Sequence, residues 1–268
     1  MTTPMSGTTV ARQPYLVAGI LRPEVRRTLI SIVVVVILWE VLADYVIKSD
    51  LVFASLSSIL ARAYEMAGTG KLWTNLRVSG AEFVLGYSAA AILGIVLGIG
   101  LALNRSFAQY VEPWMSALYA TPMIALAPIF IVLLGIGIYS KITIIFIEAF
   151  FPIAVNTSLG IRSTDRDLIE ASESFGASRL QVIRTVLLPN SYPFIIAGMR
   201  IAVARGLAGV LISEIFGSEA GVGNMIWFSA ESYDMPTLFT GVFILAGTSI
   251  FLMTTLARFE KRVAPWRA

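Results

Sequence analysis

Six long apolar stretches alternate with shorter polar segments along this chain. A helix needs about 20 apolar residues to cross a bilayer. The pattern predicts spans at 28–47, 81–103, 114–134, 142–161, 194–216 and 238–259. None of these runs alternates with the two-residue period of a strand, so a membrane β-barrel is disfavoured. The third span carries Pro122 and Pro128 and is expected to be kinked, because proline removes a backbone donor and crowds the preceding turn.

One polar segment breaks the rhythm. Residues 167–189 read DLIEASESFGASRLQVIRTVLLP, a charged insert between the fourth and fifth spans. Ser163, Thr164 and Asp165 offer helix-capping oxygens just ahead of it. Leu168, Ala171 and Phe175 recur near helical spacing and predict one apolar face. Gly176 is the expected stop, since glycine readily takes the left-handed conformation that closes a helix. Ser178 and Gln181 fit a capping box that starts a second helix, with Leu180, Ile183 and Leu187 as its apolar stripe. Pro189 is expected to end that helix and Pro193 to open the next span.

Composition narrows the class. The chain has 268 residues, 57% hydrophobic and 14% charged, where soluble domains carry about 25% charged residues. It has neither Cys nor His. Disulfides, a thiolate nucleophile and the commonest general base and metal ligand are therefore absent. An ordinary hydrolase or metalloenzyme is disfavoured, and no catalytic, cofactor or metal site is expected. Of the 20 Lys and Arg, only Lys48, Arg62, Lys71, Arg77 and Lys141 fall on one side of the predicted spans. The rest lie on the side of the insert, which by the positive-inside rule is cytoplasmic with both termini. Residues 1–27 lack the apolar core of a cleavable signal and read as a cytoplasmic tail before an uncleaved anchor. Residues 28–268 form the membrane domain, with 162–193 as its cytoplasmic loop.

The insert resembles the cytoplasmic "EAA" loop of ABC-transporter permeases. That motif runs Glu-Ala-Ala, three residues, Gly, nine residues, Ile, one residue, Leu-Pro. Here Glu170, Ala171, Ser172, Gly176, Val186, Leu188 and Pro189 match its spacing residue for residue, with Ser172 and Val186 as mild departures. The resemblance covers residues 73–266 and is nearest the nitrate, sulfonate and taurine subgroup of importers. It is carried further by Tyr119 to Pro122, Ala127-Pro128, Gly135 to Gly137, Phe151-Pro152, Asn156-Thr157, Gly198 to Arg200, Glu214 and Gly221 to Gly223. Ile138, Tyr139 and Ser140 stand where subgroup members commonly carry an acidic residue. The resemblance implies an all-α, six-span fold of the type I importer permease kind. It implies a coupling helix at Glu170, Ala171, Ser172, Gly176, Ala177, Leu188 and Pro189 that meets the ATPase. It also implies a homodimer working with two ATP-binding cassette subunits and an extracytoplasmic binding protein, in the bacterial plasma membrane. The cargo would be a small solute such as a sulfonate, nitrate or other small organic anion. No nucleic-acid partner is expected.

Other residues remain open between roles. Arg200 and Arg205 read as snorkelling or interfacial, against a part in gating or anion passage. Glu214 is either an intramembrane functional carboxylate or a pin for the turn at 217–223. Glu148 has the same ambiguity, with helix pairing preferred. Residues 217–236, with Gly221 and Gly223, are either a short helix dipping back to an outer gate or a plain loop with an aromatic anchor. Gly94 and Gly98 form a GxxxG pair that helix packing explains. No phosphate-cradling Gly-rich motif is present, so ATP chemistry belongs to a partner. The alternative reading is an ion-gradient-driven secondary transporter, which needs paired broken helices in matching halves. An intramembrane enzyme comes third.

Overall fold

A computed structural model describes residues 23–49 and 51–264. Most of the predicted tail lies outside the described residues, as do Arg12, Arg22 and Arg267. Every regular element among the described residues is helical. The first helix, α1 (Pro23–Val41), continues through a π-helical turn to Ile47. It starts earlier than expected, with proline at its first position, where a missing N–H costs nothing. It is almost wholly exposed, as a lipid-facing helix would be. Its far end is tied down where Glu40 accepts the Leu56 N–H at 2.8 Å and the Trp39 indole donates to the Ala54 carbonyl at 3.0 Å.

The next helices are α2 (Leu56–Gly68), α3 (Lys71–Leu103), α4 (Arg105–Ala120), α5 (Met123–Leu134) and α6 (Ile138–Arg162). The insert holds α7 (Arg166–Ser174) and α8 (Arg179–Val182). Then come α9 (Leu188–Gly217), α10 (Val222–Glu231) and α11 (Met235–Val263). Among the described residues, five helices are long and apolar enough to cross a membrane, six if α4 and α5 count as one broken span. The predicted third span is thus broken rather than kinked, with a bend of 100°. Pro122 cannot donate to the turn before it and pushes Thr121 into extended backbone. Pro128 stays inside α5.

The centre of the bundle is α6, packed along α3 on one side and α9 on the other. Close approach comes from small residues. On α3, Gly86, Ala90, Gly94 and Gly98 recur every fourth residue and are all buried. At Gly98 an added Cβ would stand 2.6 Å from the Ala154 carbonyl oxygen and from Thr157 Cβ of α6. Gly98→Val is expected to destabilise by about 1–3 kcal/mol, the usual cost of overpacking. Gly100→Val, whose Cβ meets only the Phe107 ring at 3.6 Å, serves as control. Thermal unfolding of the two variants in detergent checks this; equal midpoints would remove the packing role.

The insert departs from expectation at its second half. Pro189 does not end a helix. From Arg179 the chain runs as one helical span to Gly217. A π-helical turn, Ile183–Leu187, precedes Pro189. Its wider register absorbs the missing proline donor. Pro193 likewise sits inside α9.

Candidate functional site

At the insert end of the bundle, Asp165 caps α7 by accepting the Asp167 N–H at 3.0 Å. Gly176 closes it with φ +80°, the left-handed conformation expected of it. The Ser178 N–H then donates to Gln181 Oε1 at 2.7 Å and starts α8. The predicted apolar face of α7 is the reverse of the anchored one, whereas in the second helix Ile183 and Leu187 of the predicted stripe do face the bundle and only Leu180 does not. Ile169, Ala177, Val182 and Leu187 pack against Ile99, Leu103 and Ile161 and fix the insert to the ends of α3 and α6. Leu168, Ala171 and Leu180 are exposed instead, and Phe175 is 93% exposed. Glu170 and Gly176 share that open surface, while Ser172 and Ala177 are partly covered. Leu188 and Pro189 lie in the first turn of α9 and are half-buried. Helical periodicity alone located the apolar residues but gave no sign of which side the bundle covers.

At the opposite end, α10 replaces the expected choice between loop and helix. It is a helix with Val222, Gly223, Asn224, Met225 and Ser229 buried. Glu214 is fully buried and pins its start. Its carboxylate accepts from Ser79 Oγ at 2.5 Å, from the Gly223 N–H at 2.6 Å and from the Asn224 N–H at 3.4 Å. A carboxylate at a helix N-terminus meets free N–H donors and the positive end of the helix dipole. Gly221 has φ +131°, and any side chain there would occupy the space of the Glu214 carboxylate. The pin reading of Glu214 is therefore the one its contacts carry.

The polar stripe that completes this cluster was missed. Asn75, Ser79 and Glu82 lie four and three residues apart on α3. Asn75 accepts the Gly221 N–H at 2.9 Å, and Ser79 Oγ accepts the Val222 N–H at 2.8 Å. Glu82 Oε1 holds Lys141 Nζ at 2.7 Å, with both side chains under 10% exposed. Lys141 also donates to Ser218 Oγ at 2.7 Å, and Ser218 donates on to the Ala220 carbonyl. Lys141 is thus a buried partner and not a loop charge. The spacing of Asn75, Ser79 and Glu82 was the available signal. Beside the cluster opens a cleft of about 610 Å³ lined by Arg62, Lys71, Glu219, Asn224 and Asp234 among others.

The two arginines of α9 separate. Arg200 lies 3.5 Å from Glu260 of α11, towards the insert end. Arg205 lies 3.7 Å from Glu148 of α6, with its guanidinium 5.5 Å from the centre of the Tyr119 ring. It does not reach the end of the bundle as the snorkelling reading had it.

Known proteins share this pattern over most of its length. The chain is 29% identical to the putative aliphatic sulfonates transport permease SsuC of Bacillus subtilis, over 87% of this chain and 85% of that protein. It is 30% identical to the formylaminopyrimidine transport permease ThiX of Halalkalibacterium halodurans, over 86% and 92%. It is 27% identical to the taurine transport permease TauC of Escherichia coli, over 88% of each. The fold is similar to a chain of the MetNI methionine ABC transporter, solved in an inward-facing conformation. The TM-score is 0.61 at 20% identity, covering 72% of this chain and 97% of that one. Residues 90–266 match the binding-protein-dependent transport system inner membrane component. The chain belongs to that family: it is a multi-pass permease of the ABC importer class.

Proposed function

We propose that two copies of this chain form the membrane path of an importer for a small organic anion, a sulfonate in the first place, in the bacterial plasma membrane. Two ATPase subunits dock on the α7–α8 surface, and an extracytoplasmic binding protein delivers the solute at the α10 end. The permease does no chemistry, and both its termini are cytoplasmic. The observation that carries this is the insert's divided surface: one side anchored on α3 and α6, the other presenting Leu168, Phe175 and Leu180 outward. Apolar side chains held out on a charged, water-facing segment suit a protein partner. The sulfonate and taurine permeases among the relatives favour the cargo class.

The chain should co-purify with the ATPase it is expressed beside. Vesicles carrying the complex and its binding protein should accumulate labelled taurine or ethanesulfonate only with ATP. Uptake driven by a proton or sodium gradient without ATP would instead favour the secondary transporter.

Gly176 gives a finer test. Nothing lies within 4 Å of an added Cβ there, so a substitution acts through backbone strain. A branched residue forced into the left-handed region costs about 1–2 kcal/mol. Gly176→Val is expected to cut ATP-dependent uptake about tenfold, the equivalent of that strain. Gly176→Asn should cost less, since asparagine tolerates this conformation. Equal uptake by all three chains would mean the turn's shape does not matter for coupling.

A further inference from the structure

We propose that Arg205, backed by Glu148 and Tyr119, is a transit site for the anionic head group of the cargo; this rests on the importer reading above. Depth is the first observation. At 1.5 Å per residue, Arg205 lies about 18 Å from the Gly217 end of α9 and about 26 Å from its Leu188 end. Glu148 lies about 15 Å and about 21 Å from the two ends of α6. Both groups therefore stand about 15 Å or more from either end of their helices, deep enough that a charge facing lipid is costly and an arginine marks a partner or an aqueous path.

Exposure is the second. The Arg205 side chain is 51% exposed while that of Glu148 is 10% exposed. Arg205 shares the uncovered face of α9 with Ile201, Ala204 and Ala208. Small and apolar neighbours leave the guanidinium approachable from that face. In the dimer proposed above this face would border the path, since lipid is a poor host for it.

Geometry is the third. The 3.7 Å separation from Glu148 exceeds hydrogen-bond distance. Arginine carries five N–H donors in a fork that matches an oxyanion. Glu148 approaches the guanidinium through Nη1 alone, at ion-pair distance, which leaves the other donors of the fork available. Tyr119, at the end of α4 just before the break at Pro122, supports the guanidinium through its ring. A sulfonate or carboxylate would take the fork while Glu148 limits how tightly it is held. A neutral or cationic solute would gain nothing.

The test uses the absence of Cys from the chain. Ala208→Cys places a single thiol one turn from Arg205 on the same face. In membranes containing the full chain and its ATPase, the thiol is labelled with anionic sulfonatoethyl or cationic trimethylammonioethyl methanethiosulfonate. Each rate is normalised to that with a free thiol, without nucleotide and with ATP and vanadate. The anionic reagent should react about tenfold faster in at least one state, the low end of what a focused charge produces. Excess ethanesulfonate, but not the uncharged ethyl methyl sulfone, should slow it. Adding Arg205→Gln should abolish the preference and the protection, and adding Arg205→Lys should keep the preference. A preference unchanged by Arg205→Gln, or a thiol that neither reagent reaches in either state, overturns the proposal. Because labelling is read on the permease itself, an uptake assay that fails for organic anions would count against the importer's cargo and not against this site.

Discussion

Lys141→Ala should produce a large loss of stability. The substitution leaves the Glu82 carboxylate buried with no partner, and the side chains of the pair are 9% and 4% exposed. Breaking a buried pair by removing one member typically costs about 3–5 kcal/mol, because the remaining charge cannot return to water. Glu82 Oε2 already has no hydrogen-bond partner among the described residues, so nothing there takes up the charge. The effect should appear as a lowered unfolding midpoint in detergent. Replacing both partners, as in Glu82→Leu with Lys141→Met, should recover most of the loss, since well-packed apolar side chains match or exceed a buried ion pair. A double variant no more stable than Lys141→Ala alone would show that the charge imbalance is not the cause. Ser218 also loses its Lys141 donor in both variants, so that contribution cancels in the comparison.

Phe175→Asp should do the opposite: little to the chain, much to its partnership. The side chain is 93% exposed and leaves no cavity when removed. Surface changes of this kind stay within about 0.5 kcal/mol of the parent stability. As an aromatic anchor in a protein interface, however, its loss should cost about 2 kcal/mol or more, roughly thirtyfold in affinity. An added carboxylate makes the surface still less able to enter an apolar groove. The measurement is the dissociation constant of the ATPase for the reconstituted permease, with ATP-dependent uptake alongside. If the ATPase binds Phe175→Asp as tightly as the parent, the docking surface lies elsewhere on the insert.

What could be seen in the sequence followed the strength of the local signal. Five spans and the turn at Gly176 were legible because apolar length, a left-handed glycine and capping side chains are local properties. The start of α3 at Lys71 was not legible, because Asn75, Ser79 and Glu82 lower the hydropathy of a helix whose polar partners come from α6, α9 and the start of α10. Pro189 misled for a related reason: a π-helical turn one residue upstream cancels the break that proline normally imposes. Pro122 received no such compensation, and the helix does break there. Arg205 was placed towards a membrane face because its two relevant neighbours, Glu148 and Tyr119, are 57 and 86 residues away in sequence. Helical spacing gives the stripe but not the occupant on its far side, as Leu168 and Ile169 show by taking opposite surroundings.

The unbroken run from Arg179 to Gly217 has a mechanical consequence. At 39 residues and 1.5 Å per residue it is a lever about 58 Å long. One end carries the insert and the other carries Glu214, whose carboxylate grips the first turn of α10. A tilt of about 5° about one end displaces the other by roughly 5 Å at that length. In the importer proposed above, the π-helical turn near the insert would be where such a lever yields, and the buried network of Ser79, Glu82, Lys141 and Ser218 what it works against. Stiffness of that turn and strength of that network would then set how much of a partner's stroke arrives at the far face.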